Sequence, residues 1–68
     1  MHEYSLLKTR IHELGYTQGD IARMMGMTQG TISMKLNGKW DWKLWEVKEL
    51  KRILKLTDEE VLKVFIYG

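Results

Sequence analysis

The sequence predicts an all-α domain of five short helices, and three observations carry this prediction. The 68 residues contain no proline. Apolar residues recur at spacings of three and four, as on the buried face of a helix, and no long stretch alternates polar and apolar residues as a strand does. Threonines with an acidic residue three positions later, and glycines after apolar stripes, mark where helices start and stop.

The first helix is predicted from an apolar stripe near the N-terminus. The stripe consists of Tyr4, Leu7, Ile11 and Leu14. Gly15 follows it and supplies the left-handed residue with which many helices end.

The second and third helices are separated by a very short turn. Thr17 caps the second helix together with Asp20, an acidic variant of the capping box, and Gly26 ends it. Thr28 caps the third helix, which ends at Asn37. Because so few residues lie between them, the two helices must cross at a steep angle.

The fourth and fifth helices follow the loop GKWDW. The predicted inner stripe of the fourth helix consists of Leu44, Val47, Leu50 and Leu54. The sequence TDEE at 57–60 is a full capping box, and it opens a fifth helix that runs through Phe65.

Composition places the chain among small globular proteins and excludes several classes. With 44% apolar and 29% charged residues, residues 1–68 are expected to fold as one domain, and the net charge of +2 decides nothing about partners. The absence of cysteine excludes a disulfide framework and a thiolate metal site. Neither a signal peptide nor a membrane span is predicted, so we expect a cytoplasmic protein.

The third helix has an outer face that is unusual for a solvated helix. Ile32 and Leu36 point inward, whereas Gly30, Ser33, Met34 and Asn37 point outward, and Gln29 lies on the border. The outward set is short, uncharged and able to hydrogen-bond. Glycine at position 30 costs up to about 1 kcal/mol relative to alanine, which suggests that a macromolecule approaches the backbone closely.

The chemistry of this face suits the major groove of DNA. Gln29 can pair with adenine, Ser33 can donate or accept, and Met34 can contact a thymine methyl group. The side chains predicted to meet phosphates are Lys35, Asn37, Lys39 and Lys43.

The run TQGDIARMMGMTQGTISMKLNG, 17–38, resembles the helix-turn-helix of phage repressors and Cro proteins, and WDWKLWEVKELKRILKLTDEEV resembles the following helices of small phage regulators. The resemblance implies a five-helix, lambda-repressor-like (XRE-type) domain with its helix-turn-helix at helices two and three. It also implies a Cro-like repressor that occupies operator DNA in a bacterial host. Two positions depart from the pattern: Gly30 has no side chain to read a base, and Lys43 replaces the usual cap of helix four.

The resemblance implies roles for individual residues. Gln18 would contact a phosphate and brace Gln29. Because Gly30 has no side chain, direct readout of the base pair at that position would be absent or would move to Thr31. Asp41 would cap helix four. The complete predicted DNA-binding set is Gln18, Thr28, Gln29, Gly30, Thr31, Ser33, Met34, Lys35, Asn37, Lys39 and Lys43. Trp42 is interpreted as a core aromatic residue.

Related proteins bind two half-sites as dimers, so a homodimer is expected at least on DNA. Either Trp45, or Trp40 with the apolar residues Phe65, Ile66 and Tyr67, could form its interface, and the sequence does not rank the two surfaces.

Two alternative functions remain open at this point. The chain could be a protein-binding module of the same fold, such as an antirepressor or antitoxin, or the N-terminal DNA-binding part of a larger phage repressor. No constellation of nucleophile, base or metal ligands is present, since His2 and His12 lie far apart in helix phase. We therefore expect no enzymatic activity, cofactor, metal or small-molecule ligand.

Overall fold

A computed structural model describes residues 4–67, which form five helices and contain no strand. The helices are α1 (Ser5–Glu13), α2 (Gln18–Met25), α3 (Gln29–Leu36), α4 (Leu44–Ile53) and α5 (Asp58–Val61). The last continues into a π-helical segment, Leu62–Ile66, and residues 58–66 together are called the C-terminal helix. The predicted all-α, five-helix fold class is confirmed.

Capping boxes start α2 and the C-terminal helix where the sequence predicts them. The hydroxyl of Thr17 accepts from the Asp20 backbone N–H at 3.0 Å, and the Asp20 carboxylate accepts from the Thr17 N–H at 2.8 Å. Thr57 and Glu60 form the same pair of bonds at 3.1 and 2.9 Å. Each box satisfies two backbone donors that a helix end otherwise leaves exposed.

One hydrophobic core joins the helices. Its fully buried members lie on the first four helices or at the end of α4, and they include Leu7, Ile21, Ile32, Leu36, Leu50 and Leu54. An aromatic cluster of Tyr4, Trp42 and Phe65 covers one side of this core. Trp42 meets Tyr4 and Phe65 edge to face, with ring centroids 6.4 and 6.5 Å apart, a favourable arrangement for aromatic quadrupoles.

Arg10 fastens α1 to the end of α4 and to the C-terminal helix. Its guanidinium donates to the carbonyl oxygens of Leu54 at 3.1 Å and Lys55 at 3.3 Å, and it forms an ion pair with Glu60. These carbonyls lie where α4 ends and have no further helical partners, so Arg10 satisfies acceptors that would otherwise need water.

Two predictions about α4 are wrong. Leu44 is 73% exposed rather than part of the inner stripe, because in the first turn of the helix it borders a surface groove beside Ile66 and does not face the core. Asp41 does not cap the helix. Instead the carboxylate of Glu46, the third residue of the helix, accepts a hydrogen bond from the Lys43 backbone N–H at 2.7 Å. The start of α4 is thus capped by a side chain of the helix itself.

Candidate interaction surface on the third helix

A three-residue turn fixes the position of α3 relative to α2. Gly26 adopts the left-handed conformation, with φ of 68°, and the Met27 N–H donates to the Ala22 carbonyl at 2.8 Å. Thr28 then caps α3 by accepting from the Thr31 N–H at 3.2 Å. Glycine is favoured at position 26 because a side chain there would strain the backbone.

The outer side of α3 is the uncharged surface that the sequence predicts. Ile32 is fully buried, whereas Gln29, Gly30 and Met34 are exposed and Ser33 is half-buried. We call Gln29, Gly30, Ser33 and Met34 the α3 face. A Cβ added at Gly30 would meet no atom within 4 Å, so a partner can reach the helix backbone at that residue.

The side chain of Gln29 lies across the start of α2. A Cβ added at Gly19 would come within 3.2 Å of the Gln29 Oε1 atom, so the absence of a side chain at Gly19 makes room for the carboxamide. Within residues 4–67 no hydrogen bond joins Gln18 to Gln29. The predicted bracing bond from Gln18 is therefore absent within this range, and the Gln29 carboxamide lies beside Gly19 instead.

Lys35, which the sequence predicts as a phosphate contact, does not lie on the accessible surface in this structure. Lys35 is 6% exposed and its ammonium group lies 2.8 Å from the Glu46 carboxylate, which is 2% exposed. The same group donates to the Asp41 carbonyl at 2.9 Å and lies 5.7 Å from the centroid of the Trp42 ring. This ion pair joins the last turn of α3 to the first turn of α4, with the Lys35 side chain turned inward.

Other polar residues of the predicted site already have partners within the chain. The Asn37 side-chain oxygen accepts from the Lys8 ammonium at 2.8 Å, and the hydroxyls of Thr28 and Thr31 share a hydrogen bond at 2.9 Å. Lys39 and Lys43 remain exposed at the edge of this region. Of the three predicted phosphate-binding lysines, two are accessible.

The residues predicted for a dimer interface separate into two groups. Trp40, Trp45, Ile66 and Tyr67 are exposed. Phe65 is half-buried in the aromatic cluster, with its ring centroid 6.0 Å from that of Tyr4, so it belongs to the core more than to an exposed tail. Beside it, α4 and the C-terminal helix enclose a largely apolar groove of about 460 Å³.

The described residues offer neither a metal site nor a membrane span. Among residues 4–67, no group of three or more His, Asp and Glu side chains is arranged to hold a metal ion. No helix in that range is long and apolar enough to cross a bilayer.

Residues 1–67 match a family described as "Protein of unknown function (DUF739)". The chain belongs to this family. It is also similar to a solved structure described as the solution structure of the modulator of repression (MOR) of the temperate bacteriophage TP901-1 from Lactococcus lactis. That match has a TM-score of 0.75 and 36% sequence identity, and it covers 94% of this chain and 86% of the other. No match was found among curated proteins.

These matches correct the family assignment made from the sequence. The chain resembles a modulator of repression and belongs to the DUF739 family, and its identification as a Cro-type or XRE-type repressor is wrong. The glycines, caps and core positions of 17–38 determine how the two helices fold, and a fold can host different partners. The relationship supports the broader expectation of a regulatory role in a phage.

Proposed function

We propose that this chain is a phage regulator that modulates repression by binding another regulatory protein, with the α3 face as its contact surface. The match to a modulator of repression over nearly the whole chain supports the regulatory role. The burial of Lys35 supports the choice of a protein as the partner. In this proposal the chain acts in the cytoplasm of a bacterial host and needs no catalysis and no cofactor.

The burial of Lys35 is the observation that carries the choice between protein and DNA. Affinity for duplex DNA depends on cations that neutralise phosphates, and each such contact adds to the salt dependence of binding. The Lys35 ammonium group is instead paired with Glu46 at 2.8 Å. Of the lysines predicted to meet phosphates, this leaves Lys39 and Lys43 exposed. Lys8 also lies beside α3, but its ammonium group is bonded to the Asn37 side chain at 2.8 Å. Few free cations therefore remain for a DNA-binding surface.

The composition of the α3 face also suits a protein partner. The cores of protein interfaces are poor in charged residues and enriched in methionine. The face contains no charged side chain, and Met34 projects from it next to the bare backbone of Gly30. A partner side chain can pack on Gly30 while Met34 adapts to its shape.

The test is a titration of the isotope-labelled chain, followed by NMR, with the purified repressor protein encoded by the same phage. We expect resonances of Gln29, Gly30 and Met34 to shift and Met34→Glu to weaken binding at least about tenfold, the size expected for a residue at the centre of an interface. Met24→Glu is the matched control, since Met24 is similarly exposed but lies on α2. An unchanged affinity for the Met34 variant contradicts the assigned surface.

Operator DNA is the second candidate partner, favoured by the exposed Gln29 carboxamide and the Ser33 hydroxyl on the same helix face. Selection from random duplexes at near-physiological salt tests it directly. If DNA is the partner, Gln29→Ala loses about 1 to 3 kcal/mol and relaxes one base pair. Lys39→Ala then weakens all sequences alike and flattens the salt dependence. If a protein is the partner, no sequence is enriched.

A further inference from the structure

The groove between α4 and the C-terminal helix is separate from the α3 face. Its α4 wall contains Leu44 and Val47, its other wall contains Leu62 and Ile66, and Trp42 and Phe65 line it between them. Among residues 4–67, the buried Nε1–H of Trp42 has no hydrogen-bond partner. Asp41 also lines the groove, and the other lining residues are aliphatic or aromatic.

Large apolar side chains project from the rims of this groove. Leu44 is 73% exposed on one rim and Ile66 is 62% exposed on the other, and Tyr67 follows Ile66 at 78%. Contiguous exposed apolar residues of this kind mark interaction sites on soluble proteins. Because the rims project and the groove is concave, a rim of one copy can fit into the groove of a second copy.

The charges beside the groove differ between its two walls. Lys48 is exposed and lies one turn after Leu44 on α4, and Glu59 is exposed and lies three residues before Leu62 on the C-terminal helix. An ion pair between Lys51 and Asp58, 3.0 Å long, crosses from α4 to the C-terminal helix at this end. The middle of the α4 wall thus carries lysines and the start of the opposite wall carries carboxylates, while Asp41 lines the groove just before α4 begins.

We propose that a second copy of this chain occupies the groove, related by a two-fold axis that runs along it. This rotation places α4 of each copy over the C-terminal helix of the other, so that Lys48 of one copy faces Glu59 of the other. Leu44 of each copy packs toward Ile66 of the other. Both contacts occur twice, as a two-fold interface requires, and the α3 faces remain free.

The area that such a dimer must cover is larger than the groove itself. A stable interface buries roughly 800 Å² per partner, about a sixth of the 4565 Å² that the described residues expose. The flanking Lys48, Glu59 and Tyr67 must therefore take part along with the apolar walls. Since their contribution is polar or at the rim, the dimer forms with micromolar rather than nanomolar affinity.

Sedimentation equilibrium between about 0.1 µM and 1 mM tests the dimer, because this range brackets a micromolar dissociation constant, which corresponds to about −8 kcal/mol. We expect a monomer–dimer equilibrium that Ile66→Glu weakens at least about tenfold, because it places two carboxylates in apolar surroundings. Met24→Glu is the control and keeps the wild-type equilibrium, and circular dichroism verifies that both variants are folded. A wild-type chain that stays monomeric at 1 mM overturns the proposal.

A charge exchange distinguishes a second copy from any other occupant. Lys48→Glu alone and Glu59→Lys alone each place like charges opposite one another, and each weakens self-association about threefold to tenfold. Mixing the two single variants restores it, since both contacts of the mixed dimer then join opposite charges. If mixing restores nothing, or if the groove variants affect only the binding of a different protein, the second copy is the wrong occupant.

Discussion

Gly30 is the residue at which stability and binding are expected to change in opposite directions. A Cβ added there meets no atom within 4 Å, so Gly30→Ala should raise the free energy of unfolding by up to about 1 kcal/mol through lower backbone entropy of the unfolded chain. The same methyl group should weaken binding of a partner that packs on the helix backbone. Urea unfolding and a binding titration measure the two effects.

Gly26→Ala is the control for this substitution. The space around Gly26 is equally open, but its φ of 68° is left-handed, so alanine there should destabilise the protein. If Gly30→Ala also destabilises it, the outward position of residue 30 is wrong. If binding is unchanged, the partner does not approach the backbone at this residue.

Lys35 and Glu46 form a buried pair whose members depend on each other. Their side chains are 7% and 2% exposed, so Lys35→Met leaves an unpaired carboxylate in the interior and should cost about 3 to 5 kcal/mol. The double variant with Glu46→Leu should recover much of that loss, because no charge is then buried alone. Denaturant unfolding of the four proteins gives the coupling energy, and additive single effects would contradict the pairing.

At the scale of helices, the sequence predicts the starts of α2, α3 and the C-terminal helix, but it does not predict the cap of α4 or the direction of every side chain. Thr17, Thr28 and Thr57 cap as predicted, because a cap is formed by residues three apart in the chain. The direction of Lys35 depends on α4 packing against the end of α3, which no pattern within α3 contains. Glu46 could have indicated this arrangement, because it is an acidic residue at the third position of a helix that begins without a serine or threonine cap.

The α3 face was predictable for the same reason as the caps, since its periodicity is contained in eight residues. The choice of partner was not. The pattern of 17–38 specifies a turn, two caps and a core stripe, and these are requirements of folding that proteins with different partners share. The position of Gln29 against Gly19 also escaped prediction, because it is a contact between two helices.

Arg10 should control how firmly the C-terminal helix is attached. Arg10→Leu removes the bonds to Leu54 and Lys55 and the ion pair with Glu60, and we expect a loss of about 1 to 3 kcal/mol, as for hydrogen bonds that involve a charged group. Hydrogen exchange should accelerate most at residues 61–66. This helix would then open before the rest of the molecule.

Arg23→Leu is the matched control, because Arg23 also pairs with a capping carboxylate, that of Asp20, but its side chain is 76% exposed. Exposed pairs contribute little, so a change below about 1 kcal/mol is expected. Equal effects of the two arginine variants would mean that Arg10 does not act as a link between helices.

For the molecule as a whole, the free energy of unfolding should fall in acid because the carboxylates of the two capping boxes become protonated. Hydrogen bonds from the backbone of Thr57 and from Arg10 lower the pKa of Glu60, and those from Thr17 and Arg23 lower the pKa of Asp20. Both carboxyls therefore hold protons more weakly in the folded chain than in the unfolded chain. Their contribution is complete above the ordinary pKa values and is lost as pH falls through the lowered ones.

The expected result is a free energy of unfolding that is level near neutral pH and falls steadily below about pH 5. In the double variant Asp20→Asn, Glu60→Gln, stability should be lower than that of the wild type at pH 7 and should change less with pH, because the two carboxyls no longer titrate. The curves of the two proteins should approach each other near pH 3. Urea unfolding at intervals between pH 3 and 7 measures both curves, and parallel curves would mean that other groups carry the acid sensitivity.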